Sequence, residues 1–179
     1  MSYRPICDLW ILARPKVAYY GAYPNGFLER ARALLGVGRY DSVLHVCGGA
    51  AKQYPAWKTV CPNDVTLDLD ERLEPDYLCD ANAPLPPHVE WSGWAAILCD
   101  PPYTTEDAEH YAVHTDNMPR ANALLKNALA AVRLGGRVGM LHYVLPQPPR
   151  EGVKFVACVG VIVGFNNRMR CFSVFERTT

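Results

Sequence analysis

The sequence predicts an α/β fold on a mostly parallel, twisted sheet that closes with a C-terminal antiparallel hairpin. Three observations lead there. Short β-like apolar runs alternate with stretches of helical periodicity. Several of those runs end in a carboxylate or a small-residue loop, as the carboxyl edge of such a sheet requires. The last two runs are separated only by Asn166-Asn167-Arg168-Met169, which reads as a hairpin turn.

Residues 1–16 hold a short apolar patch that Asp8 interrupts, and no small-residue cleavage site follows. Pro24 to Leu35 predicts a helix. Pro24 suits a first-turn position, and Phe27, Ala31, Leu34 and Leu35 form one apolar stripe. Gly36 and Gly38 end it. Four strands are expected at Ser42–Cys47, Val65–Asp70, Asp76–Asp80 and Ala95–Asp100. Met118 to Leu134 predicts a second helix, stopped by Gly135-Gly136, and Arg137–Leu145 a fifth strand. Phe155–Phe165 and Arg170–Arg177 form the hairpin. No repeat or long linker interrupts the 179 residues, so a single domain over 1–179 is expected.

Apolar residues make up 50% and charged residues 20%, the balance of a soluble globular chain. No apolar run reaches the roughly 18–20 residues of a membrane span, so no membrane partner is expected and a cytoplasmic location is. The seven cysteines are odd in number and make no CxxC. Buried free thiols fit better than disulfides or a metal cluster, and no metal site is expected. Net charge is zero, yet the charges are segregated. Residues 1–60 carry eight Lys/Arg and three Asp/Glu, residues 61–116 one and thirteen, residues 117–179 nine and two. Either a basic face lies beside an acidic pocket, or the segments interdigitate and cancel.

The first expected strand runs into Cys47-Gly48-Gly49-Ala50, small residues that let backbone approach a ligand. It is not the G-x-G-x-x-G of dinucleotide sites, which disfavours NAD. The second strand reaches Asp68, with Asp70 two residues on, and the third ends in Cys79-Asp80-Ala81. A carboxylate at the second tip suits ribose hydroxyls; one at the third suits an adenine amino group. Each Asp alone is also what a capped loop shows.

Here the chain resembles the class I, Rossmann-like, S-adenosylmethionine-dependent methyltransferases. VLHVCGGA resembles their first motif, and LDLDERLEPDYLCDA their second and third. His45 stands where the family often has an acidic residue that steadies the glycine loop. AYYGAYPNGFLERA resembles, loosely, the amino-terminal motif that closes over the methionine end of the cofactor. The resemblance implies S-adenosylmethionine as cofactor, with Tyr20, Gly21, Cys47, Gly48, Gly49, Asp68, Asp80, Ala81 and Asp100 as its contacts.

The fourth strand ends in Asp100-Pro101-Pro102-Tyr103. As a bare tetrapeptide it is a reasonable turn. It resembles the DPPY motif of enzymes that methylate ring-conjugated amines. The chemistry explains the residue types: Asp100 and the Pro101 carbonyl accept the two N–H bonds of the amine, the prolines stiffen the turn, and Tyr103 stacks on the base. Cytosine C5 methylation, which needs a nucleophilic cysteine, is disfavoured, since Cys99 precedes the Asp and suits the core. Thr104 to Tyr111, with Glu106, Asp107 and His110, are expected as a loop and short helix over the pocket. His142 and Tyr143 line the base pocket or pack in the core; Arg168 and Arg170 contact phosphate or solvate the turn.

The spelling DPPY leans towards adenine N6 in DNA. RNA, at guanine N2 or adenine N6, is the alternative, and a non-catalytic subunit of the same fold a further one. No stretch is long enough for a target-recognition domain, which leaves loose specificity, a homodimer or a specificity partner.

Overall fold

The computed structural model describes residues 4–15, 22–90, 93–111, 118–164 and 168–179. Its strands are β1 (Ile6–Leu12), β2 (Val43–Val46), β3 (Val65–Asp68), β4 (Tyr77–Leu78), β5 (Trp94–Cys99), β6 (Val132–His142), β7 (Val153–Val163) and β8 (Met169–Arg177). Its α-helices are α1 (Phe27–Leu35), α2 (Trp57–Val60), α3 (Pro87–Glu90), α4 (Thr105–His110) and α5 (Ala121–Ala131).

All eight strands form one sheet in the order β1-β7-β8-β6-β5-β2-β3-β4. Pairs are parallel except at β8, which runs antiparallel to β6 and β7. From β2 the chain winds outward through β3 to β4, then returns to β5 on the other side of β2. The strand order therefore reverses between β2 and β5, and a crevice opens beyond their carboxyl ends.

β2 and β5 are buried along their whole length, on both faces, as central parallel strands must be. One face packs against α1 through Phe27, Leu28, Ala31 and Leu35, the other against α5 through Leu124, Leu125 and Ala128. Roughly 1.5–3 kcal/mol for each such large apolar side chain makes these two layers the main source of stability.

The expected helix over 24–35 starts at Phe27, because Gly26 at φ 79 turns the chain first and Pro24 only accepts the Phe27 N–H. Gly36 at φ 69 ends it, as expected. The second helix is shorter than Met118–Leu134. Val132 is extended and already pairs with Trp94, so Gly135-Gly136 form a bulge inside β6 rather than a helix stop. A Cβ at Gly136 would lie 2.6 Å from the Val132 side chain. Arg177 caps the end of α5 through the carbonyls of Ala130 and Val132.

β1 is an addition to the expected fold. It extends the sheet beyond β7, in parallel register from Ile6↔Ala157 to Leu12↔Val163. Asp8 hid it. In the fold that carboxylate accepts the N–H of Leu9 and the indole N–H of Trp10, so the apolar run continues around it. The expected hairpin turn falls partly on residues 165–167, outside the described residues. All seven cysteines are free thiols, as expected; Cys61 and Cys99 are buried, four others are half-buried and Cys7 is exposed, so their burial is less complete than expected. Among the described residues, no helix is long and apolar enough to cross a membrane.

Candidate active site

At the crevice lies a cavity of about 510 Å³, within the roughly 300–1,000 Å³ of small-molecule sites. The strands deliver their chemistry there through the residues at or just past their carboxyl ends or, for β8, at its start.

The floor begins at β2. Cys47 sits at φ 55, unusual for a residue with a Cβ, and Gly49 at φ 50. This double left-handed kink turns the backbone N–H groups across the sheet. Gly48 donates to the Leu67 carbonyl at 3.1 Å, and Gly49 to Asp68 Oδ2 at 2.8 Å. A Cβ at Gly48 would lie 3.1 Å from both the His45 carbonyl and Thr66, so the loop presses directly on its neighbouring strand. Burial and the negative charge of Asp68 push the Cys47 thiol well above its ordinary range, so it lines the cavity as an inert group.

His45, which departs from the familiar acidic residue, does not face the glycine loop. It is buried, with Nε2 3.0 Å from Asp64 Oδ2. Arg32 of α1 donates to both oxygens of Asp64, at 2.7 and 2.6 Å, and to the carbonyls of Gly38 and Asp41. Burial alone would raise the Asp64 carboxyl, but the bonds from His45 and Arg32 outweigh it and hold it below its usual value. This network locks α1 to the sheet beneath the cavity. The carboxylate that steadies the glycine loop is Asp68, from β3 instead of β2.

Asp68 also accepts the Asp70 N–H at 3.1 Å, and a carboxylate keeps further acceptor positions beyond these two. Asp70 caps the following turn and pairs with Arg72, which pulls its carboxyl down. Past β4, Asp80 accepts the Asn82 N–H at 2.9 Å, and Ala81 lies beside it. Asp68, Asp70, Asp80 and Ala81 all line the cavity.

β5 delivers Asp100, Pro101, Pro102 and Tyr103, which also line it. Burial pushes the Asp100 carboxyl up to about 6. Arg170 and the Tyr103 hydroxyl restrain that rise, and the charge of Asp107 adds to it. The Tyr103 hydroxyl donates to Asp100 Oδ1, and Arg170 Nη1 donates to that hydroxyl at 3.4 Å. The Tyr103 ring packs against Tyr143, with centroids 4.7 Å apart, and edge-on against His142 at 5.4 Å. Cys99 points into the core, where burial raises its thiol to about 12, which removes it as a nucleophile.

The expected residues do not all meet. Cys47, Gly48, Gly49, Asp68, Asp80, Ala81, Asp100–Tyr103, Tyr143, Arg168 and Arg170 share the cavity. His142 does not line it: its Nδ1 accepts the Val144 N–H at 3.0 Å, which turns the ring back behind Tyr103. Tyr20 and Gly21 lie outside the described residues. α4 does stand over the pocket, capped by Thr104, which accepts the Asp107 N–H, and both Asp107 and Tyr111 face the cavity.

Two lining residues escaped the sequence. Tyr23 is buried, stacked on Phe27 at 5.2 Å, with no hydrogen-bond partner for its hydroxyl among the described residues. Arg14 reaches the cavity from just past β1. Tyr23 lies two residues after Gly21 in a stretch already singled out, so a wider window would have found it; nothing local marks Arg14.

Comparison with solved structures identifies the architecture. The chain superposes on TrmN from Thermus thermophilus with a TM-score of 0.56 at 20% identity, over 84% of this chain and 48% of that one. The fold is that of the Rossmann-like methyltransferases. The rRNA methyltransferase AviRa from Streptomyces viridochromogenes aligns with a TM-score of 0.56 at 11% identity, over 91% of this chain and 88% of that one. A mutant of MtNAS in complex with S-adenosylmethionine aligns with a TM-score of 0.55 at 9% identity, over 86% of this chain and 61% of that one. The chain thus spans about half of TrmN and under two thirds of MtNAS. No family model matches the sequence, and no curated protein matches it either.

Proposed function

We propose that this chain transfers a methyl group from S-adenosylmethionine to the exocyclic amino group of a nucleic-acid base. One observation carries the reading: the Asp100 carboxylate opens into the same cavity as the kinked glycine loop and the Asp68 and Asp80 carboxylates.

The residues fit the cofactor. Asp68, at the tip of β3, would hold the ribose hydroxyls, and Asp80, past β4, the adenine amino group; both line the cavity. The unpartnered Tyr23 hydroxyl offers a buried donor in the wall of the same cavity. When bound, the cofactor supplies an electrophilic methyl group on a sulfonium.

The chain's own residues do the rest. The Asp100 carboxylate and the Pro101 carbonyl accept the two N–H bonds of the amine, which turns the nitrogen lone pair towards the methyl group. Tyr103 and Tyr143 form an aromatic wall for the base, a contact worth about 1–3 kcal/mol per stacked base. The transfer is an in-line displacement governed by position. The nitrogen then sheds a proton, and Asp100, pushed up to about 6, is placed to receive it. A base in a duplex reaches such a site only when flipped out, so single-stranded or loop substrates are favoured.

The motif spelling supports adenine N6 in DNA, whereas the likeness to an enzyme described as an rRNA methyltransferase supports RNA. Incubation with labelled cofactor and either unmethylated DNA or RNA, followed by nucleoside analysis, decides between them. Label in N6-methyladenosine or N2-methylguanosine supports RNA; label in N6-methyldeoxyadenosine alone supports DNA. Label in neither, with cofactor bound, would defeat the proposal.

A further inference from the structure

The cavity is charged oppositely at its two ends. In strand order, the carboxylates of Asp80, Asp68 and Asp100 occupy the β4–β3–β2–β5 side. Arg170, Arg168 and Arg14 come from the β8–β7–β1 side. The charge segregation of the sequence is thus kept in the two walls of the cavity, which meet where Arg170 reaches the Tyr103 hydroxyl beside Asp100. Arg170 is committed to Tyr103, over whose ring it sits at 6.0 Å. Arg14 is not so committed. It is exposed, and among the described residues no carboxylate pairs with it. Its side chain passes over Gly164 at the end of β7, where a Cβ would lie 3.7 Å from Arg14 Cγ. That position exists only because β1 pairs in parallel with β7 as far as Leu12↔Val163.

We infer that Arg14 is a phosphate clamp for a single-stranded polynucleotide, holding a phosphodiester that adjoins the nucleotide in the aromatic pocket. The inference rests on the methyl-transfer reading above and adds the direction in which the strand leaves. The acidic side repels phosphate; the basic side is the exit along which backbone charge is matched. A guanidinium fork fits two oxygens of one phosphate, and its solvent exposure suits a group that stays partly hydrated. Arg14 is joined to the sheet by β1, so the clamp sits on a strand end and not on a long loop.

The test uses the full chain and labelled single-stranded RNA and DNA oligonucleotides, titrated by fluorescence anisotropy across a salt series. Cofactor affinity is measured in parallel by calorimetry. Arg14→Gln is expected to weaken both oligonucleotides about tenfold and to flatten the slope of log affinity against log salt by about 0.7. Arg14→Lys should restore the slope but not the full affinity, because it keeps the charge and loses the fork. Cofactor affinity should stay as in the unaltered chain. Unchanged affinity and slope in Arg14→Gln would overturn the clamp while leaving methyl transfer standing. A fall in cofactor affinity would also overturn it, and would assign Arg14 to the cofactor carboxylate. A loss confined to RNA or to DNA would point to sugar recognition and overturn it too. If the unaltered chain bound neither oligonucleotide, the methyl-transfer reading itself would fail, and the clamp with it.

Discussion

The two ends of the crevice are built in opposite ways. At the acidic end each group is already tied to backbone: Asp68 to Gly49 and Asp70, Asp80 to Asn82, and the loop itself to Leu67. At the aromatic end the groups hold one another: Tyr103 to Asp100, Arg170 to Tyr103, Tyr143 and His142 to the Tyr103 ring. The first arrangement is a fixed seat, which suits the constant ligand of the proposed reaction. The second is a set of side chains that the proposed substrate would displace at the cost of contacts among themselves. The lesson is that preorganisation here follows the tether: backbone at one end, side chain at the other.

The largest expected effect strikes the opposite edge of the sheet that carries the fixed end. Arg32→Ala leaves Asp64 charged, buried and without its guanidinium partner, and should cost about 3–5 kcal/mol in denaturant unfolding. A cost under about 1 kcal/mol would mean that this network does not anchor α1 to the sheet. Asp100→Ala should come next, lowering kcat about 10²–10³-fold, as loss of a preorganised polar group does, while calorimetry shows cofactor affinity within a few-fold. If turnover survived within a factor of a few, Asp100 would not belong to the acceptor end. Asp68→Ala should do the reverse. It removes a charged acceptor worth about 1.5–3 kcal/mol, so cofactor Kd should rise some ten- to 150-fold, with kcat at saturating cofactor much less affected. Equal effects on both constants would blur the division drawn here.

The smallest effect concerns pH. Only the Asp100 carboxylate accepts both an N–H bond and the later proton, so activity should be low when it is protonated. It should rise as pH passes about 6. The Tyr103 hydroxyl lowers that value, so Tyr103→Phe should move the midpoint to higher pH, by less than about one pH unit, while keeping the stacking ring. A midpoint that stays put or moves down would show that the hydroxyl does not act on Asp100.

The same contrast explains what the sequence disclosed. The fixed end is local: Cys47–Gly49, Asp68 and Asp80 each follow a strand and fall in chain order, so strand signals and spacing were enough. Asp100–Tyr103 was legible for the same reason. At the other end Tyr143, Arg168 and Arg170 were named from the strand edges and the turn, but Arg14 and Tyr23, brought from the start of the chain, were not. Arg14 depends on β1, and β1 depends on seeing that Asp8 can satisfy itself locally while its neighbours pack. The fate of His142 turned on a single bond to the Val144 N–H, which no periodicity encodes. Gly135-Gly136 carried a true break signal, but tertiary pairing of Val132 decided that it would be a bulge.

The parallel pairing of β1 with β7 also sets an order of events during synthesis. Residues 6–12 are made before every other strand of the sheet, yet their partner strand spans residues 157–163. At about 5–20 residues per second, β1 waits unpaired for roughly eight to thirty seconds. The acidic half has all its strands by residue 99, while the wall bearing Arg14 closes only after β7 has been made. The last strands made thus both complete the core, through Val159, Val161, Phe172 and Val174, and close the wall of the crevice.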